Sequence, residues 1–314
     1  MPAISLHPEQ LDVVERFRTA EFLTVSPRGV PIAWPTTTVF RPESGTFVLS
    51  TSIGLAQKAF NVRRTPAVAL LFSNPTASGL NDPPQLLVQG TATCPDVIET
   101  APGAQADLWR RIFAFQPSSR QYSKNPVTRA LMDVYYLRLI VTVTPDVVGS
   151  RPAATAVTSI DPALARAAGD DAFGRAVREL RDYPSSVLSA FDSAGRPTMT
   201  RVTLRPDPTD RVLVVDVPDD FDLAAGPASL LSHRHDAKLW GLHSFLTTGE
   251  LARAGESWRF APATFVSNHG ANSPAGALST LRALRRNGRR YLDKRGLARP
   301  KVDWSAFHEV IDRS

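Results

Sequence analysis

Short runs of alternating apolar and polar residues fill this chain, and two stretches 166 residues apart carry them in the same order. Residues 22–51 read FLTVSPRGVPIAWPTTTVFRPESGTFVLST, and residues 188–217 read LSAFDSAGRPTMTRVTLRPDPTDRVLVVDV. Each runs apolar strand, Gly-Pro turn, second strand, polar turn, third strand. The constant offset matches Gly29 with Gly195, Pro31 with Pro197, Thr37 with Thr203 and Val48 with Val214. A duplicated β-meander predicts two similar barrels in one polypeptide, with a cleft between related but unequal halves.

The remaining periodicities extend this plan. Leu11, Val14 and Phe17 predict an amphipathic helix over 8–20. Strands are expected at about 22–26, 31–40, 45–51, 67–73 and 85–93, with a short helix at Lys58–Arg64 stopped by Pro66. A helix over 104–115 and a strand at Tyr135–Thr144 complete the first half. In the second, Phe173, Val177 and Leu180 stripe a helix at Asp170–Arg181, followed by strands at about 186–191, 197–205 and 211–217. Residues 228–242 stand where the short helix and fourth strand are due, and 245–252 and 258–265 are the closing strands, Gly249 aligning with Gly90. The expected organisation is a first barrel over 1–150, a Pro/Ala/Thr-rich linker at 151–162, a second barrel over 163–270 and a helical extension over 271–314. Mainly β with flanking helices is the fold class.

Composition narrows the chemistry. At 314 residues, 43% hydrophobic and 21% charged, each half is large enough for its own core. The longest clean apolar runs, such as 67–72, are far below the ~20 residues of a membrane span. The opening MPAISLHPEQ lacks a basic segment followed by an apolar one, and Cys94 is the sole cysteine, so a cytoplasmic protein with no disulfide and no thiolate zinc site is expected. The excess of arginine over lysine is read as the coding bias of a GC-rich bacterial genome. Of the net charge of +6, residues 282–301 carry +8, with nine basic side chains against Asp293. The tail is basic and the body nearly neutral. Arg282, Arg285, Arg286, Arg289 and Arg290 fall on one helix face, expected to be solvated; nucleic-acid binding through it ranks low.

No nucleophile elbow, Walker loop, dinucleotide fingerprint or Cys-x-x-Cys is present. His233, His235 and His243 invite a metal reading, but SHRHDAK aligns with the RRTPA turn of the first copy, so solvated turn residues are expected and no metal is assigned. Residues 47–72, FVLSTSIGLAQKAFNVRRTPAVALLF, end a strand in hydroxyl residues, place Lys58 eight residues before Pro66, and continue into a small-apolar strand. With QLLVQGTA at 85–92 and GRPTMTRVTLR at 195–205, this pattern resembles the split-barrel superfamily of pyridoxamine-phosphate-oxidase-like flavin- and deazaflavin-dependent reductases.

The resemblance implies two tandem split barrels acting as an internal pseudo-dimer, further dimerisation left open, with a flavin-type cofactor in a groove between them. It implies hydride transfer to or from a small organic substrate, with no catalytic acid or base nominated, because the ring carries the chemistry. FMN is the first choice and a deazaflavin coenzyme the next; a non-catalytic flavin or haem carrier is the alternative. The implied contacts are Ser50, Thr51, Ser52 and Lys58 for an anion, Asn61, Arg64 and Gln85 nearby, Trp34 or Trp240 against the ring, and Arg201 from the second copy. Pro35 stands where the second copy has Arg201, and Ala224 where the first has Lys58, so the two grooves are expected to be unequal.

Overall fold

The computed structural model describes residues 4–153, 157–239, 242–268 and 274–313. The first half contains β1 (Ala20–Val25), β2 (Pro31–Thr36), β3 (Thr38–Arg41), β4 (Thr46–Ser52), β5 (Ala67–Phe72), β6 (Gln85–Thr93) and β7 (Arg138–Arg151). The second contains β8 (Ser186–Phe191), β9 (Pro197–Asp207), β10 (Val212–Asp216), β11 (Gly226–Arg234), β12 (His243–Ala254) and β13 (Ser257–Asn268). The first sheet has the order β2-β1-β5-β6-β7-β4-β3, and the second is a closed barrel, β10-β13-β12-β11-β8-β9. These are one topology. β2 and β3 are separated by Thr37 alone and together occupy the place of the unbroken β9.

The duplication is preserved in the register. Ala20 pairs with Thr36 and Ser186 with Val202, while Thr38 pairs with Leu49 and Leu204 with Val215; both pairings are conserved under the 166-residue offset. Each copy also has a β-bulge at the matching glycine, Gly90 opposite Pro145 and Gly249 opposite Pro262. A Cβ there would lie 2.2 Å from the Thr144 carbonyl oxygen in one copy and 1.9 Å from that of Ala261 in the other. Only glycine fits such a close backbone approach.

β1 is buried at every position because both its faces are covered. Phe22 enters the core of the first barrel, and Leu23 joins Ala33, Ala69, Leu71, Val187, Met199 and Leu231 in an apolar layer between the barrels. The second barrel has its own core around Leu188, Leu230, Phe245 and Phe260. Fully burying each such aliphatic or aromatic side chain contributes on the order of 1.5–3 kcal/mol, so the middle layer is a substantial joint between the halves.

The helices break the symmetry. α1 (Pro8–Arg16) and α2 (Gln57–Arg64) flank the first barrel; α6 (Pro162–Ala167) and α7 (Ala172–Leu180) flank the second. Between β6 and β7 the first half inserts α3 (Ala106–Phe115), α4 (Ser118–Gln121) and α5 (Pro126–Tyr136), where the second half has a tight turn at Gly255. α9 (Trp304–Asp312) packs on this insert through Phe307, Trp109 and Tyr136. The strand expected from Tyr135 therefore begins only at Arg138. Asn125 caps α5 by accepting from the Thr128 amide, and Tyr136 stacks on Trp109, holding 126–136 helical.

Two further expectations are corrected. The segment 228–242, expected to hold a short helix and then a strand, has no counterpart of α2 among its described residues, and β11 already begins at Gly226. His233 lies within β11, paired with Ser244, and is buried rather than in a solvated turn; His235, just after the strand, is buried too. The extension folds as expected into helices, and α8 (Pro274–Asp293) lies across the turn at Ile53–Leu55. Gly54 and Gly288 permit that approach: a Cβ on Gly54 would fall 2.6 Å from the Leu284 carbonyl oxygen, and one on Gly288 would fall 2.6 Å from Val134. No described helix is long and apolar enough to cross a membrane.

Candidate functional site

Packing the barrels face to face leaves two grooves, built from corresponding elements of the two copies. The basic groove, about 650 Å³, lies between β2 with the segment 53–60 of the first barrel and β11–β13 of the second; α8 forms a further wall. The acidic groove, about 750 Å³, lies between β9 with the segment 216–222 of the second barrel and β6–β7 of the first.

The basic groove has an apolar floor of Ala33, Leu231 and Leu246, with Trp34, Phe60 and Tyr291 along its sides. Phe60 and Tyr291 stack with ring centroids 5.8 Å apart. Its charged lining residues are Lys58, Arg290 and Lys294, and none of the three makes an ion pair among the described residues. The Lys58 ammonium stands 5.9 Å from the Trp34 ring centroid. Burial, reinforced by the positive charge of Arg138, brings its pKa down from 10.5 to about 8. The first turn of α2 also opens here, and its N-cap residue, Ala56, has no side chain to accept from the leading amides.

In the acidic groove every lining arginine is already held. Arg151 meets Asp220 at 2.6 Å, Arg196 meets Asp192 at 2.8 Å, and Arg201 meets Glu21 at 2.8 Å. Asp216 and Asp222 are left over, the first accepting from the Thr203 hydroxyl and the second from the amide and hydroxyl of Ser193. Where the first copy reads Ser50-Thr-Ser-Ile-Gly-Leu-Ala, the second reads Asp216-Val-Pro-Asp-Asp-Phe-Asp. That substitution sets the sign of the groove.

The residues singled out in the sequence are distributed among four settings. Trp34 and Lys58 meet in the basic groove. Ser50, Thr51 and Ser52 are buried beneath the turn, where the Thr51 hydroxyl donates to the Leu55 carbonyl and that of Ser52 to Val134, while Ser52 also accepts from the Gly54 amide. Asn61 is fully buried, donating to Thr24 and accepting from Gln57 and Arg64; Arg64 reaches back to the Val25 carbonyl. Gln85 and Arg201 line the other groove. Trp240 lies outside the described residues.

Arg201 belongs to a buried polar cluster that joins the barrels. Glu21, wholly buried in β1, accepts from Arg201 and from Ser73, and its Oε1 lies 2.7 Å from His233 Nε2. Arg201 also donates to the Ser73 and Ser185 hydroxyls. Burial alone would raise the Glu21 carboxyl, but the His233 hydrogen bond and the Arg201 charge outweigh it and hold the pKa below 4.5. Ser73 and His233 occupy matching positions, since Leu70 and Leu230 pair with Phe22 and Leu188 respectively. The sequence signal for this cluster is a lone carboxylate in the apolar strand AEFLTV. Burial keeps His235 neutral by lowering its pKa, and among the described residues no three His, Cys, Asp or Glu side chains are grouped to hold a metal.

No protein-family model matches this chain, and no curated protein does. Several solved structures are similar to just under half of it. A putative pyridoxamine 5'-phosphate oxidase from Listeria innocua is 17% identical, covering 46% of this chain and 98% of its own, with a TM-score of 0.30. An F420 reductase is 21% identical over 46% of this chain and 98% of its own, with a TM-score of 0.32. The haem storage protein HutZ from Vibrio cholerae is 14% identical over 47% of this chain and 96% of its own, with a TM-score of 0.31. The architecture stands on the structure itself: mostly β, with a seven-stranded sheet, a closed six-stranded barrel of the same strand order, and a helical extension.

Proposed function

We propose that the basic groove binds a flavin-type redox cofactor and that the protein is an oxidoreductase acting on a small organic molecule. The observation that carries this reading is the pairing, in one cavity, of an apolar aromatic-sided floor with three cations that have no carboxylate partners among the described residues. A planar ring with an anionic tail is complementary to both parts: ring against Trp34, Phe60 and Leu246, anion at Lys58 and the uncapped start of α2. FMN is the first candidate and a deazaflavin coenzyme the second. Either would supply hydride chemistry when bound. The chain itself would anchor the tail, orient the ring and keep water from one of its faces through Leu231, Leu246 and Val266. The described lining holds no carboxylic acid and no imidazole, which also suits a non-catalytic carrier. Such a carrier would operate in the cytoplasm as a single chain with both barrels, as would the enzyme.

Titrating FMN and a deazaflavin into the purified protein, with flavin fluorescence and absorbance as readouts, tests the reading. Saturable binding is expected, with a visible band that a reductant bleaches and an organic acceptor restores. Binding without turnover for any acceptor would favour the carrier; no saturable binding of either cofactor would end the proposal.

A further inference from the structure

The basic groove is distinguished from its counterpart by α8 as well as by the turn at 53–58. α8 has no equivalent in the first half; it and the turn that follows it place Asn287, Arg290, Tyr291 and Lys294 on the groove. Several neighbouring basic residues of the extension are held by carboxylates. Arg285 and Arg299 reach Asp133, and Arg295 reaches Asp96. Arg290 and Lys294 are exposed and make no such pair among the described residues. The Lys294 amide donates to the Arg290 carbonyl, so the two side chains rise from one face, one helical turn apart.

Three cations around a single cavity repel one another unless an anionic partner enters. One anionic group at Lys58 and the start of α2 leaves the pair on α8 unmatched. We infer that α8 is the specificity element of this groove: Arg290 and Lys294 receive a second anionic group, so the preferred ligand is a ring compound whose tail bears at least two negative groups in series. The inference rests on the flavin reading for the ring and on the α8 rim for the tail.

The test compares riboflavin, FMN, FAD and inorganic tripolyphosphate, which carry zero, one, two and several anionic groups. Binding to the full chain is followed by flavin fluorescence and, for tripolyphosphate, by calorimetry. The variant is R290A/K294A, and R282A/R286A serves as a control of equal charge and equal spacing on an exposed part of α8 away from this groove. Removing the rim pair should weaken FAD and tripolyphosphate by about tenfold or more, the scale of a lost charge-assisted contact, and flatten their dependence on salt. Riboflavin should be unaffected, and the control variant should behave as the parent. Parental affinity of R290A/K294A for FAD and tripolyphosphate would overturn the inference, as would an equal loss in R282A/R286A. Tripolyphosphate binding that depends on Arg290 and Lys294, with no flavin bound by any form, would keep the rim site and remove only the flavin reading.

Discussion

The two grooves begin from one template and arrive at opposite electrostatics. In the acidic groove the arginines Arg151, Arg196 and Arg201 are paired with Asp220, Asp192 and Glu21, and Asp216 and Asp222 remain. In the basic groove Lys58, Arg290 and Lys294 face an apolar floor without a carboxylate among the described lining. A duplicated barrel thus separates two tasks that a symmetric pair must perform twice. One groove keeps three cations with no carboxylate in its described lining, while the other contributes ion pairs and hydrogen bonds to the joint. The difference comes from short segments, 50–58 against 216–224, and from one helix added at the end.

Breaking the joint is expected to give the largest effect. Arg201→Ala strips buried Glu21 of its guanidinium partner and leaves it only Ser73 and His233, which costs roughly 3–5 kcal/mol; chemical denaturation measures it. Because Glu21 is held below 4.5, its contribution is complete above that pH and is lost as pH falls through the folded value. An R201A protein as stable as the parent would mean that this cluster does not hold the barrels together. A smaller effect is expected from Gly54→Ala, whose Cβ meets the Leu284 backbone. Lifting α8 should cost about 1–3 kcal/mol and loosen ligand binding in the basic groove, with no change in the pairs that line the acidic one.

The sharpest test of the comparison has the smallest energy. Lys58→Ala should weaken FMN by about tenfold, or ~1.4 kcal/mol, and leave riboflavin unchanged. The protonated lysine is the form that grips an anion. Affinity for FMN should therefore be highest between about 6, below which the phosphate monoester gains a proton, and about 8, and decline as pH rises through the latter; a bound anion should draw a proton onto Lys58 near that upper pH. Calorimetry in buffers of different ionisation enthalpy detects the uptake. Placing the lysine in the matching position of the other groove, Ala224→Lys, should gain no FMN affinity, because Asp216 and Asp222 stand there. A gain equal to the loss in K58A would show that the two grooves differ by one residue only.

Much of this was legible in advance. The matched Gly-Pro turns and the Gly90/Gly249 pair marked equivalent strands because tight turns and close backbone approaches restrict residue choice locally; that both glycines sit at bulges is seen only in the structure. Trp34 and Lys58, both drawn from the sequence, do share a groove. The hydroxyls of Thr51 and Ser52 follow strand-end logic too, but they bond within the turn instead of facing the cavity. α5 escaped notice although Asn125-Pro126 and Thr128 form a capping signal, because the apolar run YYLRLIVTVT reads as one strand. His233 was misplaced because the alignment carried the first copy's helix into a segment that has none.

By itself the sequence determined the repeated meander, the equivalence of its strands and a basic helical tail, since each depends on neighbours a few residues away. Which cations are available to a ligand was decided by the tertiary structure alone. Arg201 is neutralised by Glu21, 180 residues distant, whereas Lys58 is joined at one cavity by Arg290 and Lys294 from the far end of the chain. Charge pairing falls off with distance in space and is indifferent to distance along the chain, so no local pattern could sort the arginines held by carboxylates from those with none among the described residues.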